Sequence, residues 1–505
     1  MANPLFDTLF APHRGSDAQF ASTADGEITY AAFVEAVCRA TTVLRDQGLA
    51  PGDRLVVQAG KSIDALAVYG ACVAAGAVFV PLNTAYTADE VDYFVGDARP
   101  MLVICDPAAE GRTAPIADRY GARLLTLGTK GEGSFAAAMR AAEPCSRIED
   151  RDTDDLASFL YTSGTTGRSK GAMLTHGNLL SNARALVDTW RITDRDVLLH
   201  ALPIFHIHGL YVGVNTTLLA GAAMIFQAGF DIDAVMEALP RSTTMMGVPT
   251  FYTRMLADPR LDRARASRMR LFVSGSAPLL TETHRLFEER TGHRILERYG
   301  MSETCMNVSN PYDGERRPGT VGFPLPGVEL RITEGGAPVA RGETGGIEGR
   351  GPNVFKGYWQ MPEKTAAELS PDGWFATGDL GRVDGDGYLE IVGREKDLII
   401  SGGYNVYPKE IETFLDARPE VVESAVIGVP HPDFGEAVVA VVVMREGAAT
   451  DTLDRAVREG LANYRRPKRL IVAGELPRNT MGKVQKAALR DAHAGLFAAP
   501  PRIDG

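Results

Sequence analysis

Residues Phe159 to Lys170, Phe-Leu-Tyr-Thr-Ser-Gly-Thr-Thr-Gly-Arg-Ser-Lys, constrain the fold of this chain more than any other stretch. An apolar run that reads as the end of a buried strand breaks into Thr162, Ser163, Gly164, Thr165, Thr166 and Gly167, which cannot build a core. Glycine lets backbone approach a ligand and turn its N–H groups inward. Hydroxyls add short donors, and Lys170 adds a point charge. These are the parts of a phosphate cradle. The G-x-x-x-x-G-K-[ST] spacing of a Walker A loop is absent. On composition alone a surface turn rich in Gly, Ser and Thr stays equally open.

The same layout recurs. Val197 to Leu199, Thr244 to Val248, Arg270 to Val273 and Arg294 to Leu296 are apolar runs that pass into polar, Gly- or Pro-containing loops. Upstream, residues 1–150 alternate a helical pattern (Ala31–Gln47) with strand-like runs at Asp53, Met101 and Arg123. The most apolar stretch, Ala65 to Leu82, contains Gly70, Gly76 and Pro81 and reads as a buried helix followed by a strand rather than a membrane span. Strand–helix alternation implies parallel sheets covered by helices, with ligands off the carboxyl ends of the strands. From 330 to 395 Gly and Pro rise and strands shorten, as expected of a β-rich subdomain. After Lys396 a compact α/β segment begins. A chain of 505 residues exceeds a single core. The expectation is an α/β protein with two domains, 1–395 with stacked mixed and parallel sheets, and a small α+β domain, 396–505.

Lys and Arg number 53 against 64 Asp and Glu, a net charge of −11. Such a chain has no general field for nucleic acid or an anionic membrane, so a polyanionic ligand must be held by local groups. Five cysteines without a C-x-x-C pair argue against a disulfide framework and for a reducing cytoplasm. The N-terminus lacks the basic and apolar regions of a signal peptide.

Four further stretches follow in order: Ser274-Gly-Ser-Ala-Pro278, Glu297-Arg-Tyr-Gly-Met-Ser-Glu303, Trp374-Phe-Ala-Thr-Gly-Asp-Leu380 and Pro477-Arg-Asn-Thr-Met-Gly-Lys483. Together with Phe159–Lys170 they resemble the adenylate-forming superfamily that includes the acyl-CoA synthetases. That resemblance implies ATP, Mg²⁺ and coenzyme A, with the smaller domain mobile about Lys396. It implies phosphate contacts from Thr162–Gly167 and Lys170, with Thr166 among the catalytic groups. Ser276, Ala277, Pro278, Glu297, Arg298, Tyr299, Gly300, Met301 and Ser302 would surround the nucleotide, and Glu303 would hold Mg²⁺. Asp379 and Arg394 would bind the ribose. Lys483 would be the catalytic lysine, and a lysine acetyltransferase acting on it would switch it off. Gly402, Gly403 and Tyr404 would line the path of the thiol.

The acyl group must be read from its pocket. Arg254, in Thr250-Phe-Tyr-Thr-Arg, would face a second carboxylate on the substrate, though a helix-surface arginine is the plainer alternative. His206 and His208 form an H-x-H pair with no third metal ligand nearby in sequence. These segments are similar to the malonyl-CoA synthetase family. By that resemblance Arg254, Ser276 and His206 hold malonate, His206 with a catalytic part, and Met306 limits its C2 substituent, so methylmalonate is expected as a second substrate. A synthetase for another small, aromatic or fatty acid, or an adenylation module loading a carrier protein, are the rivals.

Overall fold

The computed structural model describes residues 3–162, 169–479 and 482–497. Two large sheets share one helical layer. The first has nine strands, ordered Phe323–Pro324, Cys305–Ser309, Leu296–Met301, Leu271–Ser274, Thr244–Gly247, Val197–His200, Ala223–Phe226, Gln19–Thr23 and Gly26–Thr29. Its centre is parallel and its edges are antiparallel. The second has seven, ordered Gly357–Tyr358, Lys170–Thr175, Leu156–Thr162, Val78–Pro81, Arg54–Gln58, Leu102–Cys105 and Arg123–Thr126.

Helices Tyr30–Asp46, Ile63–Ala74 and His176–Trp190 join residues of both sheets in one core. Ile63–Ala74 is apolar all round and buried from Ala65 to Ala74, as a helix between two layers must be. The side chain of Ser62 caps it by accepting from Ala65 N–H at 3.1 Å. Its length, twelve residues, and the strand that follows it agree with the sequence expectation for Ala65–Leu82. No helix of the described residues is long and apolar enough to cross a membrane.

Beyond residue 328 an antiparallel sheet forms, with Ala337–Pro338, Glu329–Glu334, Gly345–Arg350, Phe375–Val383 and Leu389–Arg394 in that order. A last sheet holds Tyr404–Val406, Ile399–Ser401, Gly435–Met444 and Val421–His431, with Arg469–Ala473 parallel to Gly435–Met444. Helices Pro408–Asp416 and Thr450–Gly460 pack on it around Ile411, Leu415, Leu453 and Val457.

One pairing is added to the sequence reading, and one local expectation is corrected. Leu156–Thr162 and Lys170–Thr175 are antiparallel neighbours with Thr162 opposite Lys170. Tyr299 and Gly300 lie on a strand, Leu296–Met301, which pairs antiparallel with Cys305–Ser309, rather than in a loop after it. Gly300 is required there: a Cβ would stand 2.0 Å from the carbonyl oxygen of Cys305.

Candidate active site

Strand ends of both sheets, the antiparallel sheet and the segments 477–479 and 482–485 enclose one cavity of about 1070 Å³. Its phosphate-like end holds Thr162, Lys170, Ser302, Glu303, Tyr358 and Glu368. Ser163, Gly164, Thr165, Thr166 and Gly167 lie outside the described residues. Glu303 sits in the turn between Leu296–Met301 and Cys305–Ser309 and is 5% exposed. Burial pushes its carboxyl above the usual range, and Tyr358 Oη lies 3.0 Å away. A buried carboxylate with hydroxyls beside it suits a hard cation bridging phosphate oxygens. Among the described residues no group of three or more His, Cys, Asp or Glu could hold a metal alone. The donor set therefore fits Mg²⁺ only as a companion of a phosphate ligand.

Asp379 and Arg394 face each other across the strand pair Phe375–Val383 and Leu389–Arg394. Arg394 Nε donates to Asp379 Oδ1 at 2.9 Å, and Tyr299 Oη donates to Oδ2 at 2.6 Å. Each carboxylate oxygen thus keeps one lone pair free. Asp379 is 4% exposed, and Thr377, Gly378 and Arg394 beside it line the cavity.

Lys483 enters from the C-terminal sheet's side on a tight turn. Its N–H donates to Asn479 Oδ1 and its carbonyl accepts from Asn479 N–H, both at 3.0 Å. Gly482 has φ +73° with Thr250 3.1 Å from a would-be Cβ, so a glycine is needed before the lysine. Burial, and then the Arg394 charge, push the Lys483 ammonium down to about 8. Lys396 also lines the cavity, and burial lowers its ammonium too.

At the acyl-like end stand His206, Ser276, Arg298 and Met306. Arg298 is 5% exposed and packs over Gly275, where a Cβ would lie 2.3 Å from its guanidinium carbon. Among the described residues its Nε and Nη2 have no hydrogen-bond partner, nor have His208 Nε2 and Ser274 Oγ. Burial pushes Arg298 down to about 9, with no carboxylate opposing the shift. Burial and the Arg298 charge push His206 down to about 4 and His208 well below its usual value, so both imidazoles are neutral at pH 7. Ser276, at φ +68°, is hydrogen-bonded to His208 Nδ1 at 3.3 Å. This left-handed turn at a non-glycine residue presents its backbone to the cavity.

Other expected residues stand elsewhere. Arg254 does not face the acyl end. It lies exposed on helix Pro249–Ala257, with its guanidinium 6.0 Å from the centre of the Phe230 ring. In that helix Tyr252 and Met255 point into the core, which turns Arg254 outward. Arg298, grouped with the nucleotide motif in sequence, occupies the place Arg254 was expected to take. Glu297, on strand Leu296–Met301, is buried outside the cavity lining, accepting from Gly319 N–H at 3.3 Å, and burial pushes it up to about 8. Ala277 and Pro278 continue past Ser276 and do not line the cavity. Neither do Gly402, Gly403 and Tyr404, whose turn joins Ile399–Ser401 to Tyr404–Val406. Tyr404 is 59% exposed and stacks on Tyr464. Sequence reasoning did not single out Tyr358, Lys364 and Glu368. The i,i+4 spacing of Lys364 and Glu368 is their only signal, and it reads as a surface pair.

The pattern of the AMP-binding enzyme family matches residues 11–359, and that of its C-terminal domain matches 410–483. The chain belongs to this family. A mitochondrial malonate–CoA ligase of Mus musculus is 37% identical over 496 residues, covering 90% of this chain and 84% of the relative. A feruloyl-CoA synthase of an Amycolatopsis species is 39% identical over 472 residues, covering 92% and 93%. Among solved structures, ATP-bound MatB of Rhodopseudomonas palustris is 53% identical over 98% of this chain and 100% of its own, with a TM-score of 0.96. Against the apo form of that protein the TM-score is 0.86. The AMP-binding fold here thus resembles the ATP-bound arrangement more closely, with Lys483 inside the cavity.

Proposed function

We propose that the protein ligates malonate, and also methylmalonate, to coenzyme A at the expense of ATP, releasing AMP and pyrophosphate. The observation that carries the acid's identity is Arg298: a buried guanidinium with unpartnered N–H groups and no carboxylate beside it, at the acyl end of the cavity. A fatty or aryl acid would leave that charge unpaired, at a cost of several kcal/mol. A second carboxylate on the substrate accepts its N–H groups as a charge-assisted pair. Ser276 and neutral His206 supply further polar contacts, and Met306 closes the wall near C2.

In the first step the reacting carboxylate of malonate attacks the α-phosphorus in line, and pyrophosphate leaves. Lys170 and residues 163–168 hold the departing phosphates, while Lys483 offsets the charge that builds at phosphorus. Thr166 contributes a hydroxyl. Glu303, with Ser302 beside it, would hold Mg²⁺, which would neutralise phosphate charge. Tyr299, Asp379 and Arg394 fix adenosine.

In the second step the unit from 396 onward turns about Lys396, withdrawing Lys483 and bringing Gly402–Tyr404 to the cavity. The CoA thiolate attacks the acyl carbon and AMP leaves. Tyr404 standing outside the cavity while Lys483 stands inside supports this alternation. A lysine acetyltransferase neutralising Lys483 would block the first step alone. Acetylated protein with undiminished adenylate formation excludes that switch. All five cysteines are free thiols, which supports a reducing compartment such as the cytoplasm.

The test is pyrophosphate release across mono- and dicarboxylic acids with CoA present. Malonate and methylmalonate should lead. Ferulate, benzoate or a long-chain acid in first place would overturn the reading.

A further inference from the structure

Tyr358 and Glu368, at the phosphate end, take no part in the scheme above, yet they join Glu303, which would hold the cation, to Lys170, which would hold phosphate. Tyr358 Oη lies 3.0 Å from Glu303 Oε1 and 2.6 Å from Glu368 Oε2. A phenol carries one proton and donates to one acceptor at a time, so two carboxylates compete for one hydrogen. The other oxygen of Glu368, Oε1, is 3.6 Å from Lys170 Nζ and 2.6 Å from Lys364 Nζ. Lys170 Nζ also lies 4.3 Å from the centre of the Tyr358 ring. Tyr358 is 3% exposed and the Lys170 side chain 13%, so these contacts are shielded from bulk water. Helix Pro362–Glu368 carries Glu368, and the edge strand Gly357–Tyr358 pairs with the strand that starts at Lys170. The chain Glu303–Tyr358–Glu368–Lys170 is therefore held by fixed elements at each end.

We propose that Tyr358 and Glu368 are positioning residues that couple cation binding at Glu303 to phosphate binding at Lys170. With Glu303 free, Tyr358 divides its hydrogen bond and Glu368 keeps full charge toward Lys170. Once Glu303 is engaged by a cation, the phenol gives its hydrogen to Glu368 alone. Glu368 then holds Lys170 less strongly, and the ammonium turns to the nucleotide phosphates. Linkage makes the effect mutual: phosphate that draws Lys170 away leaves Glu368 to Tyr358 and Lys364, and clears Glu303 for the cation.

This inference rests on the Mg·ATP reading of the site, and the experiment separates the two. ATP binding is measured by calorimetry without any acid substrate, once with EDTA and once with Mg²⁺, for the wild type, Tyr358→Phe and Glu368→Gln. Phenylalanine keeps the ring packing against Phe355, and circular dichroism checks the fold. The wild type should bind ATP at least about fivefold more tightly with Mg²⁺, the lower end of ordinary coupling. In Tyr358→Phe that ratio should be smaller than in wild type, keeping only the part that the shared cation supplies directly. In Glu368→Gln metal-free ATP should bind more tightly than in wild type, because Lys170 has lost its anion. In turnover, Tyr358→Phe should raise KM for Mg·ATP more than it lowers kcat. A Tyr358→Phe ratio equal to that of wild type overturns the coupling. Absence of ATP binding by folded wild-type protein overturns the nucleotide reading beneath it.

Discussion

Replacing Arg298 with methionine tests the acid assignment and has two opposed consequences. Methionine keeps similar length and apolar bulk but deletes the charge. In complex with malonate, the wild-type guanidinium would meet a carboxylate in a dry pocket, and truncating one partner of such a pair costs about 2–5 kcal/mol. The expected loss in kcat/KM for malonate is therefore about 30-fold to several thousand-fold. In the free protein the sign reverses. Burial depresses Arg298 from 12.5 to about 9, so the protein carries an uncompensated buried charge worth several kcal/mol at neutral pH. Arg298→Met should therefore unfold at a higher urea concentration than wild type when no ligand is present. With ATP present throughout, adding malonate should raise the wild-type midpoint further and leave the variant's unchanged. Steady-state pyrophosphate release and urea titration, each with malonate and with propionate, give the four numbers needed. Propionate, lacking the second carboxylate, should gain relative to malonate in the variant. Arg254→Ala is the control, because its side chain is exposed and is not among the residues that line the cavity. If Arg298→Met keeps malonate kcat/KM within threefold while Arg254→Ala loses it, the geometry argued from Arg298 is refuted.

Four further outcomes follow from named groups. Lys483→Ala should abolish malonyl-adenylate formation and spare thioester formation from supplied malonyl-adenylate, read by AMP release in single turnovers; equal loss in both would end the alternation scheme. Its ammonium, lowered to about 8, is charged below that value and neutral above it, so kcat/KM for ATP in the first step should fall as pH rises through about 8, and Lys483→Arg should move that limb upward. Glu297 is raised from 4.5 to about 8, so the folded protein holds its proton where the unfolded chain releases it; stability contributed by this group should fall between about pH 4.5 and pH 8, and Glu297→Gln should flatten that slope in urea titrations. Gly275→Ala would drive a methyl to 2.3 Å from the Arg298 guanidinium carbon, and should reduce malonate turnover by about tenfold or more while leaving ATP binding near wild type, as tested by calorimetry.

The sheets were legible because their strands announce themselves locally. Leu102–Cys105, Thr244–Gly247 and Leu271–Ser274 are short, fully buried and bounded by turn residues, so apolar runs mark them without tertiary information. The pairing of Phe159–Lys170 was not legible. Whether a strand enters a hairpin or a helix after a Gly-rich turn depends on whether an edge is open beside it, and Lys170–Thr175 fills that edge. Tyr299 was read as part of a loop for a related reason: the hairpin to Cys305–Ser309 is closed by Gly300 and the turn at Ser302–Glu303, and only packing distinguishes that turn from a loop. The site divided along similar lines. Glu303, Asp379, Arg394 and Lys483 sit in short motifs whose local backbone delivers them, so spacing found them. Tyr358 and Glu368 reach the cavity through a strand pairing and a helix docking that span the distance from 173 to 368, and no local pattern carries that information.

The choice between Arg254 and Arg298 shows why charge must be weighed by its surroundings. Arg254 lies on the helix that follows strand Thr244–Gly247 and Arg298 lies on strand Leu296–Met301, and either could face a carboxylate by type. What separates them is the desolvation each has suffered. Arg254 remains in water, where its charge is screened and its loss would matter little. Arg298 lies across the backbone of Gly275, with neutral His206 and His208 beside it and N–H groups left unmet. The protein as a whole carries −11, so the field at a distance does not draw anions in. Selectivity for an acid with two carboxylates must then arise inside the cavity, from Lys170, Arg394, Lys396 and Lys483 around the nucleotide and from Arg298 at the far end. The first four charges suit the nucleotide of any acyl adenylate; only the last distinguishes malonate from propionate.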